Sequence, residues 1–436
     1  MKISVVLIIF LMLFYSANSQ SGKKLSSGEA VQMALENNLN IKIVKADLAI
    51  ADVNNNWGNA GRYPTVNGTL VNTEAVSSLN QKLSNGNELN KSGVKNNVLN
   101  ANLNFNWRVY NGRRVMATKQ RLEELEKIGD INVSREMQRI SYEVLLSYYN
   151  IVRLNQQIKA TEAIIALSDE RNKIAEARYE IGSGAKTDML QSKIDLNEQK
   201  LNLTDIKRQI ANNMAIINAL MKRPVHETFE VGDSTFQIPE IDYEIAISKI
   251  DTQNLDLLRS DIDKAILLRD RIIINSQRIP SLNITSNTNY NRNNSTAGFF
   301  LTNQTYGPNV GLNITLPIFN NNTVRTQIRV NNIQQQQQQY RKELLKSQIE
   351  RDILTSYQDL KNALDIATIE KKNISIAEEN NFIATERFKK LQSNSIELRQ
   401  AQLSLIQAQD RYINAMYRAK IASLSIQNMI SEIGDK

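Results

Sequence analysis

The sequence is poor in several residues that enzymes and metalloproteins use. Its 436 residues include no cysteine, 1 histidine, 16 glycines and 6 prolines. Without cysteine there can be no disulfide, thiolate zinc site, iron–sulfur cluster or cysteine nucleophile. His226 is followed by Glu227, Thr228 and Phe229, so the second histidine of a zinc-protease helix is missing, and no Gly-x-Ser-x-Gly motif presents a serine to it. We therefore expect no enzyme activity, no catalytic or metal site and no cofactor.

Charged and apolar residues are distributed along the chain after the N-terminus without dense clusters or long uninterrupted runs. It carries 53 Lys and Arg against 45 Asp and Glu, a formal charge of +8, without a dense basic cluster. This balance is more typical of a solvated surface than of a surface for nucleic acid or anionic lipid, so we expect no nucleic-acid partner. After the N-terminus, no segment offers about 18 uninterrupted apolar residues, which argues against a transmembrane helix. The scarcity of glycine and proline predicts long helices.

The N-terminus has the pattern of a secretory signal peptide. Lys2 precedes an apolar run that ends at Tyr15, and small residues stand at Ala17 and Ser19. The run is too short to span a bilayer as a helix. We predict that residues 1–19 are cleaved and that the protein leaves the cytoplasm.

The chain is an internal duplication. A shift of 209 residues places Glu143–Tyr148 over Asp352–Tyr357, and a shift of 216 places Tyr63–Asn67 over Ile279–Asn283. Two repeats of this length are not solenoid units, and they indicate two equivalent halves of one architecture. The predicted organisation is a signal peptide at 1–19, a first repeat at 20–224, a linker or equatorial segment at 225–241 and a second repeat at 242–436.

The two repeats have the same predicted order of elements. Each begins with a helix, near residues 27–59 and 242–277, that stops before a proline. A pair of strands follows, and then a long helical hairpin that is interrupted by a polar tip. The predicted bounds are strands near 64–73, 98–110, 280–290 and 309–319, and helical hairpins at 112–222 and 323–430.

The second strand of each pair alternates between apolar and polar residues. Asparagine, threonine or glycine separates most of the apolar positions, a pattern that fits a half-buried strand of any antiparallel sheet. A strand length of about nine or ten residues, the signal peptide and the aromatic ends at Trp107, Tyr110 and Phe319 favour transmembrane barrel strands instead. The residues predicted to face lipid are Leu99, Ala101, Leu103, Phe105, Trp107, Val310, Leu312, Ile314 and Leu316.

The number of strands predicts an assembly. Two hairpins supply four strands, fewer than the eight that an outer-membrane barrel needs. An open sheet edge cannot persist in lipid, because its backbone groups would be unpaired. A barrel must therefore be shared between protomers, and four strands from each of three chains would make twelve. A periplasmic or extracellular coiled-coil protein is the alternative, and it explains the helices but not the alternation.

Short motifs in this order resemble the TolC family of outer-membrane efflux proteins. They are Tyr63-Pro64-Thr65-Val66, Leu316-Pro317-Ile318-Phe319-Asn320, and a hairpin tip that runs from Arg178-Tyr179 through Gly182 to Asp188 and Leu190. The resemblance covers essentially the whole chain after residue 19. It implies a mainly α fold with a transmembrane β-barrel, built as a homotrimer with a twelve-stranded barrel and a twelve-helix periplasmic tunnel.

The same resemblance implies a function. A member of this family is a passive outer-membrane channel, in contact with outer-membrane lipid, and the exit component of a tripartite efflux or type I secretion system. It docks onto a periplasmic adaptor protein and an inner-membrane pump of RND or ABC type. Its tunnel opens at the periplasmic tip by untwisting of helices. The exported substrate and the class of pump stay open at this point.

The resemblance also places an aperture at the tips of the hairpins. By position, the aperture residues are Asp188, Phe388, Glu397, Arg399 and Gln400. Gln400 is neutral where the family has a second acidic ring, and Phe388 lacks the hydroxyl that a tyrosine would direct at Asp188. Asp188 and Glu397 also fit a simpler role, since acidic residues are favourable at a helix N-terminus.

Adaptor contacts are expected at the two tips. Because Leu391 stands where the first tip has Gly182, we expect the two tips to differ in shape. The residues expected to contact the adaptor are Gly182, Ser183, Gly184, Ala185, Lys186, Thr187, Leu391, Gln392, Ser393, Asn394 and Ser395.

Overall fold

The computed structural model describes residues 24–433, and the predicted signal peptide at 1–19 lies outside them. The described chain is mostly helical, as predicted, with strands between the helices. In chain order the elements are α1 (Ser27–Asn37), α2 (Leu39–Asn54), β1 (Thr65–Lys82), β2 (Glu88–Tyr110), α3 (Arg114–Glu180), α4 (Lys186–Leu220), α5 (Tyr243–Gln253), α6 (Leu255–Ser276), β3 (Ser281–Ser295), β4 (Thr302–Thr315), α7 (Thr323–Lys389) and α8 (Ser395–Met429).

The chain forms two compact units, each made of several segments. Among the described residues, unit 1 comprises 24–44, 132–258 and 345–433, and unit 2 comprises Lys45–Ile131 and Arg259–Leu344. Unit 1 therefore contains the tips of both helical hairpins, and unit 2 contains all four named strands.

The long helices form because nothing in their sequence stops them. α3 and α7 are each 67 residues long, and α4 and α8 are each 35. They contain no proline, and 67 residues at 1.5 Å per residue extend about 100 Å. The bounds of α7 and α8 lie 209 residues after those of α3 and α4, the shift found in the sequence. Hydropathy along the described helices never reaches the level and length that a membrane-crossing helix requires.

The helix predicted near 27–59 is broken in two at Asn38, and the one predicted near 242–277 is broken at Asn254. Each asparagine side chain accepts a hydrogen bond from a backbone N–H two residues further on, at 2.8 and 3.0 Å. Each also donates to a carbonyl at the end of a long helix, Leu220 or Met429, at 2.9 Å. Periodicity did not reveal the break, because an asparagine side chain that replaces helical hydrogen bonds leaves the apolar spacing on both sides intact.

The core of unit 1 is built from apolar clusters between these helices. In the larger cluster Tyr148 of α3 is fully buried, and its hydroxyl donates to the carbonyl of Leu25 at 2.8 Å and accepts from the N–H of Asp233 at 3.2 Å. Burial raises the pKa of Tyr148 to about 12. The second cluster includes the buried side chains of Leu257 and Ile353. These clusters join the short helices of each repeat to its long hairpin.

The four strands form an antiparallel sheet in the order β1-β2-β3-β4. β1 and β2 are longer than predicted, at 18 and 23 residues. The predicted strand at 309–319 is displaced, because β4 ends at Thr315 and the segment after it contains Pro317, which has no N–H for a strand ladder. The prediction that Leu316 is a strand residue is therefore wrong, and Phe319 also lies outside the sheet.

The two faces of the sheet differ in chemistry. Residues directly opposite in an antiparallel pair lie on the same face, and neighbours along a strand lie on opposite faces. One face carries Leu103, Phe105 and Ile284, with Leu312 and Val310 from β4. The other face is dominated by asparagine.

Candidate functional site

The tips of the two helical hairpins have the same backbone turn. Gly182 has φ +74° and Leu391 has φ +65°, both in the left-handed region. In the first tip the N–H of Ser183 donates to the carbonyl of Arg178 at 2.9 Å, and in the second the N–H of Gln392 donates to Arg387 at 2.9 Å. The expectation that Leu391 changes the shape of its tip is therefore wrong for these turns. The hydrogen bonds that end the helix hold a leucine in a conformation that glycine adopts without strain.

The acidic residues after each tip lie where a helix begins. Asp188 is exposed in the first turn of α4, where no side chain caps the helix. Glu397 lies in the first turn of α8, and its N–H donates to the side chain of Asn394 at 2.9 Å. The Glu397 carboxylate also accepts from Arg387 at 2.6 Å. The charge of Glu397 is thus paired with an arginine of its own hairpin. The charge of Asp188 is stabilised by the positive end of the helix dipole.

Phe388 is a core residue of the tip region. Its side chain is 1% exposed and packs with Ala384, Leu398 and Ala401. The guanidinium of Arg178 lies 3.9 Å from the centre of its ring, and Arg178 also donates to the Phe388 carbonyl. This arginine belongs to α3 and the phenylalanine to α7, so the stack links the two hairpins within one chain.

A buried carboxylate that sequence reasoning missed lies close to Arg399. Asp195 of α4 is 8% exposed and pairs with Arg171 of α3 and, at 3.0 Å, with Arg399 of α8. Gln191 donates to its second oxygen at 2.8 Å. Burial lowers the pKa of Arg171. One signal was available: Asp195 lies between Ile194 and Leu196 on an apolar helix stripe, where a lone acid needs a partner.

Other tip residues are mostly open to solvent. Gln400 is exposed, as are most of the residues from Gly182 to Thr187. Lys389, at the end of α7, pairs with Glu170 of α3 at 2.7 Å. The tip region therefore combines exposed turns with ion pairs that cross from one hairpin to the other.

The predicted lipid-facing residues lie together on one face of the sheet, except Leu316, which lies beyond its end. Leu103, Val310, Leu312 and Ile314 are exposed. The indole of Trp107 lies near one end of the apolar face and donates to the carbonyl of Arg62 at 2.9 Å. Exposed apolar residues in this number mark a surface that contacts lipid or another protein.

Long helical hairpins joined to strands with an apolar face define the architecture of outer-membrane channels. The profile of the outer membrane efflux protein family matches residues 30–221 and 247–432. The chain belongs to the outer membrane efflux protein family. It is an efflux channel of the outer membrane that extends into the periplasm, and members of this family are channels and not enzymes.

Solved structures with the same fold are channels from several bacteria. The outer-membrane channel OprN is 13% identical, with a TM-score of 0.78 over 94% of this chain and 91% of its own. The outer membrane protein VceC from Vibrio cholerae is 15% identical, with a TM-score of 0.75 over 93% and 95%. The CmeC outer membrane channel from Campylobacter jejuni is 14% identical, with a TM-score of 0.75 over 96% and 90%. A search among curated proteins finds no significant match.

Proposed function

We propose that the protein is a homotrimeric outer-membrane channel and periplasmic duct, the exit component of a tripartite efflux or type I secretion system. The observation that carries this proposal is a four-stranded sheet with an apolar face and two unpaired edges, β1 and β4. In lipid these edges must pair, and four strands are too few to close a barrel alone. Three copies supply twelve strands for the barrel. Each copy also contributes four long helices, which together make a twelve-helix tunnel.

The aperture lies at the hairpin tips and opens when the helices untwist. Asp188, Glu397 and Gln400 contribute the side chains that narrow it. The first two are acidic and Gln400 is neutral. Arg399 ties α8 to Asp195 of α4, and this ion pair supports a closed arrangement of the two hairpins. The side chain of Phe388 supplies packing there and has no group that can form a hydrogen bond. Opening therefore requires the hairpins of one chain to shift against each other.

The exposed turns at Gly182–Thr187 and at Leu391–Ser395 are the surface for a periplasmic adaptor protein. Both turns present backbone and mostly small or polar side chains at the end of a hairpin, and the second turn adds the exposed side chain of Leu391. The adaptor connects the duct to an inner-membrane pump of RND or ABC type, which supplies the energy. The duct itself moves solutes passively.

Migration on gels tests the trimer. The protein is extracted from outer membranes in mild detergent. Without heating, it should migrate on the gel, and elute from a size-exclusion column, near three times the mass of the chain. Boiling should give the monomer. A shared barrel resists dodecyl sulfate because every strand is paired. A monomer in detergent, or a protein released without detergent, would contradict the proposal and favour a soluble coiled-coil protein.

A further inference from the structure

The polar face of the sheet carries asparagine at the same level on every strand. Asn67 of β1 pairs with Asn104 of β2, Asn104 pairs with Asn287 of β3, and Asn287 pairs with Asn309 of β4. These four residues form the asparagine row. Since paired residues share a face, their carboxamides lie side by side across the whole width of the sheet.

The neighbouring levels continue this chemistry. On either side of the asparagine row the same face carries asparagine, threonine, glycine and one valine. A level is a set of four residues, one from each strand, that are paired across the sheet. The asparagine row and the three described levels next to it contain no ionisable side chain. These three levels are Thr65, Asn106, Thr285 and Gly311; Thr69, Asn102, Asn289 and Gly307; and Val71, Asn100, Asn291 and Thr305. Along this face the first charge beyond them, toward the helical hairpins, is Arg108, which donates to Asn283 at 3.2 Å.

Many of these carboxamides keep free hydrogen-bonding capacity. An asparagine side chain offers two donors and two acceptor lone pairs. Asn309 uses its oxygen to accept the backbone N–H of Asn287 at 3.2 Å, and Asn291 donates to Asn100. The side-chain oxygen of Asn287 is buried and lies out of reach of a solute, whereas the side chains of Asn67 and Asn309 are exposed. The face can therefore both donate to and accept from a solute beside it.

We propose that this face lines the barrel lumen as an uncharged carboxamide surface that does not select solutes by charge and that hydrogen bonds to neutral solutes rich in hydroxyl or amide groups. The inference rests on the proposed function, which turns the polar face inward. Charge selection in pores comes from rings of charged side chains, and the asparagine row would form a neutral ring in a trimer. Hydroxyl and amide groups match carboxamides because both donate and accept.

Thiol labelling tests the charge of the surface, since the chain has no cysteine of its own. Asn67→Cys and Asn309→Cys trimers in the membrane are treated with cationic and anionic methanethiosulfonates, and Leu70→Cys on the opposite face of β1 is the matched control. Both lumen thiols should react. For each of them, the ratio of the cationic rate to the anionic rate should lie within about twofold of the same ratio for a free thiol in solution. The Leu70→Cys thiol should stay unreactive because lipid covers it.

The outcomes separate the two proposals. A reactive Leu70→Cys beside unreactive Asn67→Cys would put the polar face outside the lumen and overturn the barrel in the proposed function. If Asn67→Cys and Asn309→Cys react but one charge is favoured tenfold or more, the barrel stands and the uncharged surface is contradicted.

Maltohexaose tests the class of solute. This neutral oligosaccharide should slow the labelling of Asn67→Cys by about threefold or more, the effect expected from one net hydrogen bond. Methyl-capped polyethylene glycol of similar mass, at matched viscosity, is the control for slower diffusion, because its ether oxygens accept hydrogen bonds but it has no group that donates. Replacing the neighbouring Asn104 and Asn287 by valine should abolish the slowing. Equal rates in maltohexaose and the capped polyethylene glycol would contradict hydrogen bonding to neutral solutes.

Discussion

Leu391, at the tip of the second hairpin, adopts a backbone conformation that is costly for a residue with a side chain. Leu391 has φ +65° and is 61% exposed, so it gains little from burial while it occupies a region that costs a non-glycine residue about 1–2 kcal/mol. The alignment of Gly182 with Leu391 was visible in the sequence. Its consequence was not, because the hydrogen bonds of the turn decide the backbone conformation.

Leu391→Gly should stabilise the protein by up to about 1 kcal/mol, because relief of the left-handed strain exceeds the added flexibility of the unfolded chain. Chemical denaturation in detergent, followed by the helical circular dichroism signal, measures this. Leu391→Ala is the control, since it removes the side chain and keeps the strain, and its stability should be close to that of the parent. Equal stabilities of the glycine and alanine variants would show that φ at this position has no cost.

The buried Asp195 illustrates a limit on predicting site residues. Its acidic character within an apolar stripe is plain in the sequence, but its partners Arg171 and Arg399 are distant along the chain. Only the packing of α3, α4 and α8 brings the three together. Arg399, predicted as an aperture residue, therefore belongs to an ion-pair cluster with Asp195 and Arg171. The position of Arg399 in the sequence could not identify these partners.

At the scale of elements, the long hairpins were predictable because they contain no proline and, within the helices, only one glycine, Gly129 of α3. The breaks at Asn38 and Asn254 and the early end of β4 were not, because each depends on a side chain or a proline overriding the periodic pattern. The alternation in β2 and β4 did place the apolar residues on one face.

The contact between α8 and α4 should influence the aperture. Arg399→Ala removes the ion pair with Asp195 while Asp195 keeps Arg171, so the fold should persist and the hairpins should separate more easily. We expect a higher mean single-channel conductance in planar bilayers. Because Arg399 is partly exposed, the energetic change should be below about 1 kcal/mol.

Arg351→Ala is the matched control, because Arg351 is exposed and its ion pair is with the adjacent Asp352 of α7. Its conductance should equal that of the parent channel. If Arg399→Ala also leaves the conductance unchanged, the ion pair with Asp195 has no part in holding the aperture closed.

At the scale of the whole molecule, family membership places the chain in the outer membrane as an efflux channel. The proposed trimer accounts for a sheet of four strands with two unpaired edges. Strand count and apolar alternation predict a shared barrel from the sequence, and the pairing of one chain with the next is a proposal for the assembly. The asparagine row extends this account from the lipid face to the lumen.

Cysteine cross-linking across the sheet edges tests the shared barrel most directly. Thr69→Cys on β1 is combined in turn with cysteine at Asn303, Thr305, Gly307 and Asn309 of β4, all on the same face as Thr69. At least one pair should yield covalent dimers and trimers on oxidation in native membranes, while Thr69→Cys alone should yield none beyond dimers. Cross-links that form only within one chain, or none at any of the four positions, would contradict a barrel built from three copies.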